Sequence, residues 1–351
     1  NYTNIFGGYH SVRALLGQEA NKFSNEFTYI SAPSVDPQIP YVNTCDQSKT
    51  STEQGFVNTS MLSFFGIVDY NYDNKYFAQL TAREDGSSLF GENNKWGFFW
   101  SASASWNISR EKWLSYRWLD LLKLRASYGV NGNDGISAYK AYGVYSTSTY
   151  NGTVGMLPAQ PSNPYLSWEK NGTWNVGVDF GFLGRIRGGL DVYSRKTTDM
   201  LLSKKVPQTT GFSTNFMNAG SMKNTGVELQ LDGDIISTSD MLWTVGVNIA
   251  YNRTKILDLA GDEKIEPSNA MHYVVGRSMY SYYLTDYYGV NPSNGEALYR
   301  TADGTLTNNA AKARKYYAGS PEPKLIGGFN TTFAWKGFSA SAFFEFKAGN
   351  K

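Results

Sequence analysis

The sequence reads as part of an all-β protein, a transmembrane antiparallel β-barrel with about eleven strands in this chain. Three observations predict it. Stretch after stretch alternates apolar and polar residues with period two. The connections between those stretches are alternately short and long. No run of about 18 apolar residues occurs, which excludes transmembrane helices.

The stretch Asn171–Leu202 is the clearest element. Trp174, Val176, Val178, Phe180 and Phe182 alternate with Thr173, Asn175, Gly177, Asp179 and Gly181. After Leu183-Gly184, the residues Ile186, Gly188, Leu190 and Val192 alternate with Arg187, Gly189, Asp191 and Tyr193. Only a tight hairpin turn fits the space between the two halves. Each half is about 10 residues long, enough for a tilted strand to cross a bilayer. A soluble sandwich could also contain one such hairpin, so the argument rests on repetition.

In chain order, a weaker first strand covers roughly Ile5 to Ala20. Leu62, Phe64, Val68, Tyr70 and Tyr72 share the next face, Asp73-Asn74 turns the chain, and Tyr76, Ala78, Leu80 and Ala82 return. Trp96 to Ile108 alternates large apolar residues and alanines with serines, and Leu122 to Val130 sets Leu and Tyr against Lys123, Arg125 and Ser127. Val227, Leu229 and Leu231 oppose Glu228, Gln230 and Asp232, and Trp243 to Tyr251 follows the same rule. The last hairpin turns at Trp335-Lys336-Gly337.

The short connections lie near 73–74, 109–119, 183–184, 235–240 and 335–337. The long ones span about 21–60, 86–95, 130–170, 201–222 and 256–323, and the two kinds are expected to alternate strictly. An outer-membrane barrel sorts its connections this way, with short periplasmic turns and long extracellular loops. Tyr70, Tyr72, Tyr76, Trp243 and Trp335 fall near the short turns and Trp96, Tyr128 and Tyr251 near the long loops, as two interfacial girdles. The expected count is odd, whereas single-chain bacterial barrels are even, and an open edge would leave unpaired backbone groups in lipid, so further strands are expected outside the chain.

Composition narrows the function classes. With 15% aromatic and 18% charged residues and a mean hydropathy of −0.41, the chain suits a wall in which every second residue meets lipid. On composition alone a secreted sandwich or propeller fits as well. A net charge of +2 without a basic cluster gives no nucleic-acid signal. Cys45 is the single cysteine, which forbids an intrachain disulfide and reads as incidental. His10 and His272 have no metal-ligand spacing.

Several phrases carry a family resemblance. They are Leu80–Leu114 with Arg83, Asp85, Gly86 and Phe90; Leu121–Asn133; Asn163–Lys170 leading into 176–202; Asn218–Leu231; and Gly319–Asn330. In this order the chain from Met61 onward resembles the SusC/RagA-like family of TonB-dependent outer-membrane transporters; the first sixty residues resemble it less. The resemblance implies a barrel of about 22 strands. It also implies an N-terminal plug, coupling through a TonB box to TonB–ExbB–ExbD, and a SusD-like surface lipoprotein as lid. Location in the outer membrane of a Bacteroidetes cell and import of oligosaccharides follow, with peptide import by the same architecture as the alternative. A siderophore or cobalamin receptor, a passive porin, and a soluble surface lectin or glycosidase are the remaining rivals.

No catalytic constellation is present, so no enzyme activity is expected. Glu84 and Asp85 are adjacent on a strand and point to opposite faces, which rules out joint acid–base work. Asp258–Glu263, Asn291–Glu296 and Thr301–Gly304 have calcium-ligand flavour but match no complete loop motif, and no cofactor is expected. The better substrate candidates are loop aromatics, whose planes stack on sugar rings: Tyr150, Tyr165, Trp168, Tyr280, Tyr282, Tyr283, Tyr287 and Tyr288. Tyr287 and Tyr288 could equally pack a folded loop. Lys123, Arg125, Asp179, Arg187, Asp191, Glu228 and Asp232 are expected to face the lumen and pair there.

Overall fold

Among the described residues of the computed structural model, twelve antiparallel strands form one continuous sheet. The structure describes residues 1–32, 38–39, 41–42, 45 and 47–351. The strands are β1 (Tyr2–Phe6), β2 (His10–Ser31), β3 (Ser51–Tyr72), β4 (Tyr76–Ser87), β5 (Trp96–Asn107), β6 (Leu119–Asn133), β7 (Glu169–Phe182), β8 (Ile186–Thr198), β9 (Ser221–Ser237), β10 (Met241–Asp258), β11 (Leu325–Trp335) and β12 (Phe338–Ala348). They pair strictly in that order, each with its chain neighbour. No helix is long and apolar enough to cross a membrane among the described residues.

The hairpin of β7 and β8 has the expected register, with Val176 opposite Val192, Val178 opposite Leu190 and Phe182 opposite Ile186. Its turn residues Leu183 and Gly184 have φ of 58° and 63°. Asp73 and Asn74 repeat that positive-φ geometry between β3 and β4, as tight hairpins require.

One face of the sheet is apolar and uncovered. Leu80, Trp100, Tyr128, Trp174, Val176, Val192 and Tyr251 are all exposed on it. The opposite face carries Arg13, Asp69, Gln79, Ser103, Ser127 and Asn175 in one paired row across six strands. The well-packed cores lie instead at the long-connection end. Phe90, Phe99, Ala141, Leu166 and Trp168 form one cluster, and Met200, Leu202, Ile256 and Leu259 form another.

Three expectations change. The stretch Ile5–Ala20 is two strands, because Gly7 and Gly8 take φ of 55° and 75° and reverse the chain. This adds the twelfth strand, and the argument from an odd count falls away. The loop expected at 21–60 is mostly strand: β2 and β3 are 22 residues each and stay paired up to Ser31 opposite Ser51. The outer half of β2 is exposed on both faces, and that of β3 only half-buries Gly55, Val57 and Thr59, so the two-faced pattern is weak there. The alternation of loop length is not strict, since connection 108–118 is longer than 88–95. The latter is tied to the 163–168 segment by Gly91 N–H to Leu166 O (3.2 Å) and Trp168 Nε1 to Lys95 O (3.0 Å).

The longest connection, 259–324, folds into small sheets. Lys264–Ile265, Met271–Val274, Ser281–Thr285 and Lys315–Gly319 form one, and Tyr287–Val290, Ala297–Arg300 and Leu306–Thr307 form another. Val144–Tyr150 and Thr153–Gln160 make a separate hairpin inside the connection before β7.

Candidate functional site

Period-two alternation places Lys123, Arg125, Asp179, Arg187, Asp191, Glu228 and Asp232 on the polar face of β6–β9. Arg125 is the hub. Its Nε and Nη2 donate to the Asp179 carboxylate at 2.9 and 2.8 Å, and its Nη1 and Nη2 donate to Asp191 at 3.0 and 2.9 Å. The fit depends on Gly177, which lies between Arg125 and Asp191 in the register; a Cβ there would stand 2.5 Å from Asp191 Oδ1 and 2.9 Å from Arg125 Nη2.

Arg187 stands 3.9 Å from Asp234, and the Lys123 ammonium lies 4.9 Å from the Phe77 ring centre. Asp232 accepts from Gln230 Nε2 at 3.1 Å. With Arg125, Asp179, Arg187, Asp191 and Glu228 it lines a hollow of about 790 Å³ on this face. A second hollow of about 380 Å³ adjoins it. There Asp69 accepts from Arg13 Nε at 2.7 Å and Gln79 Nε2 at 2.6 Å. The sequence reading missed Arg13, Asp69 and Gln79, although the alternation of β3 and β4 would have placed the last two.

Nearer the long connections, Glu84 and Asp85 do point to opposite faces. Asp85 is buried and accepts from Arg83 Nε at 2.6 Å, and Arg83 also reaches Glu19 at 3.1 Å and Ser63 Oγ at 2.8 Å. The Asp85 carboxylate is thus engaged in an ion-pair network that braces neighbouring strands.

The loop aromatics fall into two groups. Trp168 is 4% exposed, wedged between Phe90 and Phe99 with ring centres at 4.9 and 5.3 Å. It is a core residue and offers no face to a ligand, a correction that follows from the 163–168 segment folding back on β5. Tyr283 stacks on His272 at 4.4 Å and packs on Tyr317 at 4.9 Å, so it too serves the loop's own packing. Tyr282 sits in the paired strand beside it, opposite Met271 and Gly319.

Tyr150 (88% exposed) tips the 144–160 hairpin, and Tyr165, Tyr280, Tyr287 and Tyr288 are also exposed. The Arg300 guanidinium lies 5.4 Å from the Tyr288 ring centre, and Tyr287 meets Tyr299 edge-on at 5.9 Å. A tyrosine face beside a guanidinium offers one apolar plane and several donors, which suits a sugar ring or a peptide side chain.

Burial pushes the His272 imidazole below its ordinary value, with Lys264 and Lys315 acting the same way and Glu266 opposing them. In the stretches with calcium-ligand character the polar side chains are engaged by protein groups. Asp303 accepts from Thr301 and Thr305, which holds its carboxyl below the usual range, and Asn291 Oδ1 accepts from Ser293 N–H at 3.0 Å. Asp258 Oδ2 accepts from Ala260 N–H at 3.0 Å, and Asp262 pairs with Lys204 at 2.9 Å. Cys45 is buried against the Tyr41 carbonyl at 3.8 Å.

Residues 1–344 match the family model described as "TonB dependent receptor-like, beta-barrel". The whole chain is 32% identical to TonB-dependent receptor P26 of Formosa agariphila, of which it covers 38%. Across 80% of its length it is 33% identical to TonB-dependent receptor SusC of Bacteroides thetaiotaomicron, covering 30% of that protein. Among solved structures it resembles the RagAB peptide importer in its open-open state, with 29% identity, a TM-score of 0.85, and coverage of 99% of this chain and 39% of that one. The chain thus spans about two fifths or less of the relatives it matches.

Proposed function

The chain belongs to the TonB-dependent receptor-like β-barrel family, and on that premise we propose that it forms wall and outer loops of an outer-membrane importer of SusC/RagA type. The observation that carries this is the two-faced sheet with its folded connections gathered at one end. An apolar face this large is costly in water and suited to lipid, while the opposite face with its salt-bridged hollows suits a hydrated lumen. The folded connections then lie outside the cell and the tight turns in the periplasm. Exposed Trp96, Tyr128 and Tyr251 mark one membrane interface, and Tyr76, Trp243 and Trp335 the other.

In this reading the substrate is an oligosaccharide, met by Tyr150, Tyr280, Tyr287 and Tyr288. A SusD-like lipoprotein covers the long connections, and TonB acts through a plug carried by the complete protein. Peptide cargo is the second reading, favoured by the likeness to RagAB, itself a peptide importer. The test is uptake and binding by the complete protein with oligosaccharides, peptides and ferric chelates, in cells with and without TonB. Uptake that persists without TonB sinks active import in favour of a passive pore. Binding of peptides alone replaces the glycan reading, and binding of chelates alone overturns both.

A further inference from the structure

The tight-turn end carries a segment whose basic side chains have no ion pair among the described residues and whose aromatic rings are half exposed. Connection 108–118 is fixed in place. A 3₁₀ turn at Ile108–Arg110 is followed by Leu114 N–H to Glu111 O at 3.1 Å and Leu119 N–H to Tyr116 O at 3.2 Å. The Glu111 carboxylate is turned back onto the wall, where its Oε1 accepts from Tyr76 Oη at 2.6 Å and Trp106 Nε1 at 3.0 Å. Arg110, Lys112 and Arg117 are exposed and, among the described residues, carry no ion pair. Between and beside them Trp113, Tyr116 and Trp118 are 66%, 56% and 49% exposed. Trp118 is stacked on Phe182 at 5.8 Å and on Tyr116 at 5.7 Å, so the rings form a fixed shelf.

The acidic groups nearby are already engaged. Asp73 pairs with Lys75 at 3.0 Å, and Asp120 accepts from Gly184 N–H at 2.5 Å. Arg185, in the adjacent turn of the same end, adds to the positive balance. Amphipathic rings settle at headgroup depth, and cations beside them neutralise lipid phosphates.

We propose that connection 108–118 is a docking site for anionic phospholipid, with Arg110, Lys112 and Arg117 on the headgroup phosphates and Trp113 and Trp118 among the upper acyl carbons. The site rests on the membrane orientation proposed above and is independent of any substrate. Bound to an inner-leaflet lipid, it would fix the depth and tilt of the wall at β5 and β6.

The experiment is lipid retention by the complete protein, delipidated and then offered phosphatidylglycerol and phosphatidylethanolamine in competition, read by native mass spectrometry. The wild type is expected to retain phosphatidylglycerol preferentially, and R110Q/K112Q/R117Q to lose that preference, on the order of fivefold per cation. R253Q/K324Q, at the opposite end, is expected to keep it. Heat-modifiable gel mobility confirms that each variant is a folded barrel. A folded wild type without the preference, or a folded triple variant that keeps it, overturns the proposal while leaving the import reading intact.

Discussion

Arg125 clamps Asp179 and Asp191 at once, with four donor–acceptor contacts between 2.8 and 3.0 Å across β6, β7 and β8. Charge-assisted, bidentate geometry is the strong form of this interaction. All three side chains keep partial contact with water, which screens it. Arg125→Gln is therefore expected to cost about 1–2 kcal/mol. D179N or D191N alone should cost less, because the guanidinium keeps its other partner. Unfolding midpoints of the complete protein in urea test this ordering. Equal midpoints for wild type and R125Q would mean that the clamp contributes nothing to the wall.

Gly91 is held by backbone against backbone. An added Cβ would stand 2.1 Å from Pro164 O and 2.3 Å from Pro164 C, where no side-chain rotation can relieve it. Gly91→Ala is expected to cost about 1–3 kcal/mol and to unlatch connection 88–95 from the 163–168 segment. Trp168→Ala empties the same cluster and should cost about 3–5 kcal/mol. Protease cleavage within 88–95 and 134–168 reports both. Resistance equal to wild type in either variant contradicts the latch.

The barrel was legible wherever water and lipid impose different demands on alternate residues. The β7–β8 hairpin could be read residue by residue, and the salt-bridged face followed from its alternation. Reading failed where that contrast is missing. The outer half of β2 meets water on both sides and that of β3 is only weakly two-faced, so paired strand looked like loop. The turn at Gly7-Gly8 was hidden inside a weak alternating run. Trp168 and Tyr288 are indistinguishable as aromatic residues in long connections. Only long-range packing, which puts Phe90 and Phe99 around one and leaves the other open, separates them.

That separation makes a contrast testable. Tyr287→Ala/Tyr288→Ala removes exposed rings, so stability should stay within about 0.5 kcal/mol of wild type. Substrate affinity of the complete protein should fall roughly tenfold, the value of one or two aromatic stacking contacts. Calorimetric titration with the imported oligosaccharide or peptide measures it. Unchanged affinity removes these two tyrosines from the substrate surface.

His272 gives the long connection 259–324 a pH dependence of definite sign. The imidazole is 4% exposed, stacked on Tyr283 at 4.4 Å, with Nδ1 at 3.5 Å from Tyr317 Oη. Burial holds it below its ordinary value, Lys264 and Lys315 face it as further cations, and Glu266 counters only part of this. The folded segment thus binds its proton less readily than the unfolded one, which titrates near 6.5. Its stabilising contribution is complete above about 6.5 and is lost as pH falls below that towards the lower folded value. Hydrogen exchange of residues 264–319 should accelerate between about pH 8 and pH 5, after correction for intrinsic rates. His272→Phe keeps a ring on Tyr283 without a titrating nitrogen and should flatten the response. Protection in the wild type that does not change over this range would show that protonation of His272 is not coupled to the fold of the loop.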